Sequence, residues 1–263
     1  MAGRILLGTS GWSYEDWVGS FYPAGLPARE MLPFVAARFT TVEVDSSFHR
    51  VPTEAMIARW REVAPPGFEI ALKVPRTVTH APHGPEANED FDLLCRRARG
   101  LGEHLGPLLM QFPPSFRGDA ARKALAEFLP RLAPDLRWAF EARSRTLMVP
   151  ELFNLLRRWE VGLCITDRVR LPRATVVTAN FAYVRLLGDR GGIGDAPFDR
   201  VRIDRAEDNA RWAKTLQSLA GEVERVYAYF NNHWSGHSPA DVQAMMALLG
   251  QRPRNPGGQA ELF

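Results

Sequence analysis

A (β/α)8 barrel is the fold class this sequence predicts, and three observations carry the prediction. Eight strand-like runs alternate with helix-like stretches along 263 residues. Six of those runs place a polar residue near their C-terminal end: Glu43, Lys73, Gln111, Glu141, Arg185 and Asn231. Their apolar neighbours, among them Val42, Val44, Leu72, Val74, Met110, Phe112, Phe140, Leu186 and Phe230, fall on the opposite face, because side chains alternate across a strand. The rival, an open doubly wound sheet, needs a glycine-rich phosphate turn after the first strand. Gly8-Thr9-Ser10-Gly11-Trp12 lacks the third glycine and opens no long helix.

Taken in order, the strands are expected at Ile5–Ser10, Thr41–Ser46, Glu69–Val74, Leu108–Phe112, Arg137–Ala142, Gly162–Thr166, Ala182–Leu187 and Val226–Asn231. Amphipathic spacing predicts helices over Ala28–Arg38, Thr53–Val63, Asn88–Leu105, Ala120–Leu132, Glu151–Trp159, Ala206–Gly221 and Pro239–Leu249. Thr53 before Met56 and Ile57 has the form of an N-cap, and Ser238-Pro239 that of a cap with proline in the first turn. Residues 170–180 contain Pro172 and a β-branched cluster, so little or no helix is expected there. The barrel domain spans 1–249. Residues 250–263, rich in Pro, Gly, Arg and Asn, read as a flexible tail.

Composition narrows the class. Apolar residues make up 46% and charged residues 24%, the balance of a soluble globular chain. Thirty-three basic against 30 acidic residues leave a net charge of +3, which permits a polyanionic partner without requiring one. Cys95 and Cys164 belong to no CxxC or CxxH pattern, so they are expected as buried reduced thiols, and zinc held through cysteine is excluded. The short apolar run after Met1 is no signal peptide, and no segment reaches transmembrane length. A cytoplasmic location is expected.

Motifs in order along the chain resemble one family. They are Gly8-Thr-Ser-Gly-Trp-Ser-Tyr14 with Trp17 and Phe21-Tyr-Pro23, Val42-Glu-Val-Asp-Ser-Ser-Phe48, and Phe68-Glu-Ile-Ala-Leu-Lys-Val-Pro75 with Thr79-His80. Further matches are Gly106-Pro-Leu-Leu-Met-Gln-Phe-Pro-Pro-Ser-Phe116, Phe140-Glu-Ala-Arg143, Ile165-Thr-Asp167, Tyr183-Val-Arg185 and Tyr229-Phe-Asn-Asn232. The chain thus resembles the YecE-like family, domain of unknown function 72. That resemblance implies a TIM barrel, akin in shape to endonuclease IV, and implies no reaction. The trinuclear zinc site of endonuclease IV is not implied, since Lys73, Gln111 and Arg185 stand where ligands are needed.

Active sites of this fold sit at the strand C-termini. Here those ends carry Ser10, Trp12, Glu43, Asp45, Lys73, Arg76, Gln111, Glu141, Arg143, Asp167, Arg168, Arg185 and Asn231. Glu43 and Lys73 lie on adjacent strands and are expected to pair. In a functional reading, Lys73 and Arg185 hold an anionic group, Glu43 or Glu141 serves as acid or base with a pKa raised by burial, and Gln111 and Asn231 orient the ligand. Catalytic roles fall on Glu43, Glu141 and Lys73; Ser10, Trp12, Asp45, Arg76, Arg143 and Asp167 complete the binding set. The bland alternative is a satisfied ion network plugging the barrel. Trp12, Tyr14, Trp17, Phe21 and Tyr22 form either a stacking wall or an apolar lid. His80, His83, His233 and His237 lie in loops at the mouth, without a metal-binding spacing, so no metal or other cofactor is expected.

The chain ends Gln259-Ala-Glu-Leu-Phe263. This resembles the bacterial pentapeptide that binds the DNA polymerase III beta sliding clamp, with Gln259 at the rim and Leu262 and Phe263 as apolar anchors. Alternatively the two apolar residues fold back on the barrel. Three functions remain: an enzyme acting on a phosphate-bearing substrate such as a nucleotide or damaged DNA, a carbohydrate-type hydrolase using Glu43 and Glu141, or a non-catalytic clamp-binding adaptor.

Overall fold

A computed structural model describes residues 2–80, 85–168, 175–194 and 196–253. Eight parallel strands close into a barrel in sequence order: β1 (Arg4–Ser10), β2 (Thr41–Val44), β3 (Glu69–Lys73), β4 (Leu105–Gln111), β5 (Trp138–Glu141), β6 (Gly162–Thr166), β7 (Phe181–Leu186) and β8 (Arg225–Phe230). Helices α1 (Ala28–Ala36), α2 (Glu54–Val63), α3 (Arg76–His80), α4 (Pro85–Arg99), α5 (Gly118–Phe128), α6 (Pro150–Arg158), α7 (Arg190–Ile193), α8 (Ala206–Ala220) and α9 (Ser238–Leu248) lie between and after them.

The predicted alternation of faces holds. Val42, Val44, Leu72, Val74, Met110, Phe112 and Phe140 pack outward against the helices, as do Leu186 and Phe230 on the other side. The lumen is filled by Leu6, Ala71, Leu109, Ala139, Cys164, Phe181, Tyr183, Tyr227 and Tyr229. Bulk is unevenly shared. Small residues on β3 and β5 face the large rings of β7 and β8, which reach across the axis, and such large–small complementarity fills a closed barrel without voids. Gly8 is required where it stands, because a Cβ there would lie 1.9 Å from the Thr41 carbonyl oxygen of the paired strand.

Differences from the sequence reading have local causes. The helix expected to run to Leu105 stops at Arg99, and β4 begins at Leu105. Gly100 and Gly102 (φ +57) end the helix, while Gly106-Pro107 masks the strand's own propensity. The Thr53 hydroxyl does cap α2, accepting from the Met56 N–H at 3.2 Å. At α9 the N-cap is His237, and Ser238 is already helical, its hydroxyl donating to Asn232 Oδ1 at 2.8 Å. Residues 175–180 contain no helix, as expected; the rest of that connection falls outside the described residues. Both cysteines are buried and free. Among the described residues no helix is long and apolar enough to cross a membrane.

Candidate functional site at the strand C-termini

Alternation along each strand carries Ser10, Glu43, Lys73, Gln111, Glu141 and Arg185 to the lumen side at the top of the barrel, one residue pair above the aromatic layer. Arg185 organises them. Its Nη1 donates to Glu141 Oε2 at 2.7 Å and its Nη2 to Glu43 Oε1 at 2.8 Å. The second oxygens are also occupied: Tyr183 donates to Glu43 Oε2 at 2.6 Å, and Gln111 Nε2 to Glu141 Oε1 at 2.9 Å. The carboxylate side chains are 0% exposed and that of Arg185 is 3% exposed, so all three charges depend on one another.

This geometry corrects three expectations. Lys73 pairs with Asp45 Oδ1 at 3.1 Å and not with Glu43, whose oxygens Tyr183 and Arg185 already hold. Glu141 is not raised toward neutrality. Burial pulls its pKa upward, but the charge and hydrogen bond of Arg185, with Arg168 and Gln111, outweigh it and hold the carboxyl below its usual range. A carboxylate whose pKa is lowered and whose oxygens are both bonded is a poor proton donor, so Glu141 does not suit the general-acid role a glycosidase needs. Arg185 in turn has both terminal nitrogens committed and holds no external anion through them.

Two buried donors in this layer lack partners. Ser10 Oγ and Arg185 Nε are both buried and unbonded among the described residues, as is Arg168 Nε nearby. Ser10 is the direct register partner of Glu43 across β1 and β2. Its carbonyl accepts the Tyr14 hydroxyl at 3.0 Å. Burial, then the charges of Asp45 and Glu43, push Tyr14 up to about 12, so this phenol stays protonated.

The remaining predicted site residues divide by place. Asp167 serves the fold: its carboxylate accepts from the N–H groups of Leu187 (2.7 Å) and Gly188 (2.8 Å), while burial raises its pKa against those bonds. Gly188 (φ +64) is obligatory, since a Cβ would sit 1.9 Å from the His233 carbonyl oxygen. Asn231 accepts from the His233 N–H at 3.1 Å. The aromatic cluster is chiefly a lid: Trp17 is buried, packs at a tilt against Tyr14 and Tyr22, and donates to Asn232 Oδ1 at 3.2 Å. Trp12 stays half-buried, edge-on to Trp60.

A cationic rim over β3–β5 was only partly foreseen. Arg76 opens α3 and is exposed; Arg143 follows β5 and is half-buried. Together with Lys73 they surround His80, at the end of α3, a residue that sequence reasoning did not assign to a binding site. Burial first, then the charges of Arg76, Arg143 and Lys73, lower the His80 pKa, so its imidazole is neutral at pH 7. Its Nδ1 lies 2.9 Å from the Thr79 hydroxyl, and its ring packs edge-on against Phe48, over which Lys73 Nζ sits 4.2 Å from the centroid. A separate apolar cavity of about 460 Å³ lies outside the mouth, between α3 and α5, lined by Val78, Phe112, Phe116, Leu125 and Phe128.

Among the described residues no group of three or more His, Cys, Asp or Glu side chains is arranged to hold a metal. The donor set argues the same way: an arginine occupies the centre that a multinuclear zinc site would need. His83 and the tail residues Gln259, Leu262 and Phe263 lie outside the described residues.

Closed parallel topology and an ionic layer at the strand C-termini define a TIM-barrel protein with a mouth-side candidate site. The chain belongs to the family of proteins of unknown function DUF72, whose model matches residues 6–261. A DUF72 family protein from Enterococcus faecalis V583 superposes with a TM-score of 0.80 at 19% identity, covering 98% of this chain and 100% of that one. Another, from Thermotoga maritima MSB8, gives 0.77 at 23% identity over 94% and 100%. SacUVDE gives 0.58 at 8% identity over 94% and 98%, a likeness of fold. No curated protein matches the sequence.

Proposed function

We propose that the mouth binds a phosphate-bearing substrate, a nucleotide or damaged DNA, and that the chain is an enzyme acting on its phosphoester. The observation that carries this reading is the rim over β3–β5, where Lys73 Nζ and the His80 ring both pack on Phe48 and the charges of Arg76, Arg143 and Lys73 act on His80. Arg76 is exposed and makes no ion pair among the described residues, so an anion there displaces only water. Lys73, Arg76 and Arg143 bind the phosphate. His80 is the uncharged base beside it, its pKa lowered first by burial and then by the neighbouring cations. Glu43 and Glu141 are positioning residues that fix Arg185. Damaged DNA is named because SacUVDE shares the barrel, which is an argument from fold alone.

Purified protein incubated with nucleotides and with abasic, nicked and gapped duplexes, with and without divalent metal, tests this. Turnover is expected, and Arg76→Ala is expected to weaken substrate binding about tenfold, the effect of a lost charge-assisted contact worth about 1.4 kcal/mol. Absence of both turnover and binding across the panel contradicts the proposal.

We further propose that Gln259, Leu262 and Phe263 dock on the DNA polymerase III beta sliding clamp. What supports this is the placement of the last described residues. Gln251 Nε2 donates to the Ile5 carbonyl at 3.1 Å, so the chain leaves the barrel at the face opposite the mouth. A partner held there leaves the mouth open to DNA. Deleting 259–263 is expected to abolish clamp binding; a truncated chain that binds equally well contradicts it.

A further inference from the structure

The cavity of about 460 Å³ between α3 and α5 takes no part in the mouth, and the sequence of α5 makes it. That helix turns Ala121 and Leu125 onto the barrel, where both are buried. Ala120 and Ala124 also line the cavity, and both are exposed. Methyl groups four residues apart share one helix face, and they leave open a space that larger side chains would fill. The other walls are aromatic. Phe112 is buried and stacks on the half-buried Phe116 with ring centroids 4.3 Å apart, and Phe128 is half-buried beside Leu125. Apolar walls around a volume of this size have the form of a small-molecule site.

The rim is charged, and its two ends differ. Just before α5 stands Arg117, exposed and without a side-chain partner among the described residues, with the exposed hydroxyl of Ser115 two residues away. Beyond the other end of α5, Arg131 shares the rim with Glu127, so their charges offset. Arg131 is also engaged: its Nη2 donates to Asn88 Oδ1 at 2.6 Å, and its guanidinium lies over the rings of Phe91 and Phe128. The rim is therefore positive by one charge, and the free cation is Arg117. An apolar body suits the walls, and one planar anion suits one free guanidinium fork.

We infer that this cavity binds a small apolar carboxylate from solution, with its chain over Phe112, Phe116 and Phe128 and its carboxylate at Arg117. The site is separate from the phosphate site at the mouth, so either can fail alone.

Titration calorimetry on the full chain tests this with four probes: decanoate, decanol, decyltrimethylammonium and acetate. Decanoate is expected to bind at least tenfold more tightly than decanol, which has the same chain without the charge. Decyltrimethylammonium, of opposite charge, and acetate, without the chain, are expected not to bind. Ala124→Trp fills the cavity and is expected to abolish decanoate binding. Arg117→Ala is expected to bring decanoate down to the affinity of decanol and to leave decanol unchanged. Failure of decanoate to bind, equal affinity for decanoate and decanol, or unchanged decanoate binding in Ala124→Trp overturns the inference. The comparison of the four probes needs no variant, so a misfolded variant leaves the test decisive. Light scattering covers the other occupant: a dimeric chain that becomes monomeric in Ala124→Trp assigns this face to a second copy and overturns the ligand site, whereas an unchanged mass together with lost decanoate binding supports it.

Discussion

The two ends of the barrel lumen solve the same problem in different ways. At the top, one arginine is shared by two carboxylates, and all three side chains are at most 3% exposed. At the bottom, one carboxylate, Glu69, is shared by Arg137 Nη2 at 2.8 Å and Arg225 Nε at 3.4 Å, whose side chains are 31% and 38% exposed. A tyrosine completes each cluster, Tyr183 on Glu43 and Tyr227 on Glu69, both at 2.6 Å. The bottom arginines keep part of their hydration, so that cluster closes the barrel at small desolvation cost. The top cluster surrenders its hydration altogether, while an unbonded buried arginine Nε is found at both ends, Arg185 at the top and Arg137 at the bottom.

The largest expected effect comes from removing the shared cation at the top. Arg185→Met strands two buried carboxylates and is expected to destabilise the fold by about 3–5 kcal/mol, measured by urea denaturation. Glu69→Gln at the bottom leaves arginines that can turn to water, so a smaller loss, about 1–2 kcal/mol, is expected in the same assay. Equal losses at both ends would remove the contrast between them.

Acid sharpens the comparison further. Glu141 and Asp45 both have pKa values held below the ordinary carboxylate range, Glu141 chiefly by Arg185 and Asp45 by Lys73 and Arg185, in each case against burial. Their folded values are depressed, so the stability they contribute is full above the unfolded values and is lost as pH falls through the folded ones. Asp241 behaves oppositely. Burial lifts it to about 7, against its bond from Ser235 and the charge of Arg205, so stability declines as pH rises from the ordinary aspartate value of 3.8 toward about 7. Asp241→Asn is expected to remove that decline and leave the acid limb in place, as read from melting temperature across pH. The smallest effect on stability is expected at the rim: Arg76→Ala should change it by no more than about 0.5 kcal/mol while weakening phosphate binding.

Much of this was legible in the chain and some was not. The polar residues at the strand ends marked the lumen, because the two-residue period leaves them no other face. Their partners were hidden. Glu43 and Lys73 lie on the neighbouring strands β2 and β3, but Arg185 reaches Glu43 from 142 residues away and takes the bond instead. No local pattern encodes a side chain that crosses a barrel axis. Helix α3 spans only five residues, too few to show a period, and so His80 was read as a loop histidine without a role beyond metal binding. The Lys73-Val-Pro-Arg76 spacing was its one trace: a lumen lysine, then a cation opening a new element just past the strand.

Crystals soaked in tungstate test the central claim most directly, since the heavy oxyanion reports where phosphate is held at either end of the barrel. It is expected within hydrogen-bonding distance of Arg76 and Arg143, over β3–β5. Tungstate seated only among Arg4, Arg137 and Arg225 at the opposite end, or bound nowhere, would contradict a phosphate site at the mouth.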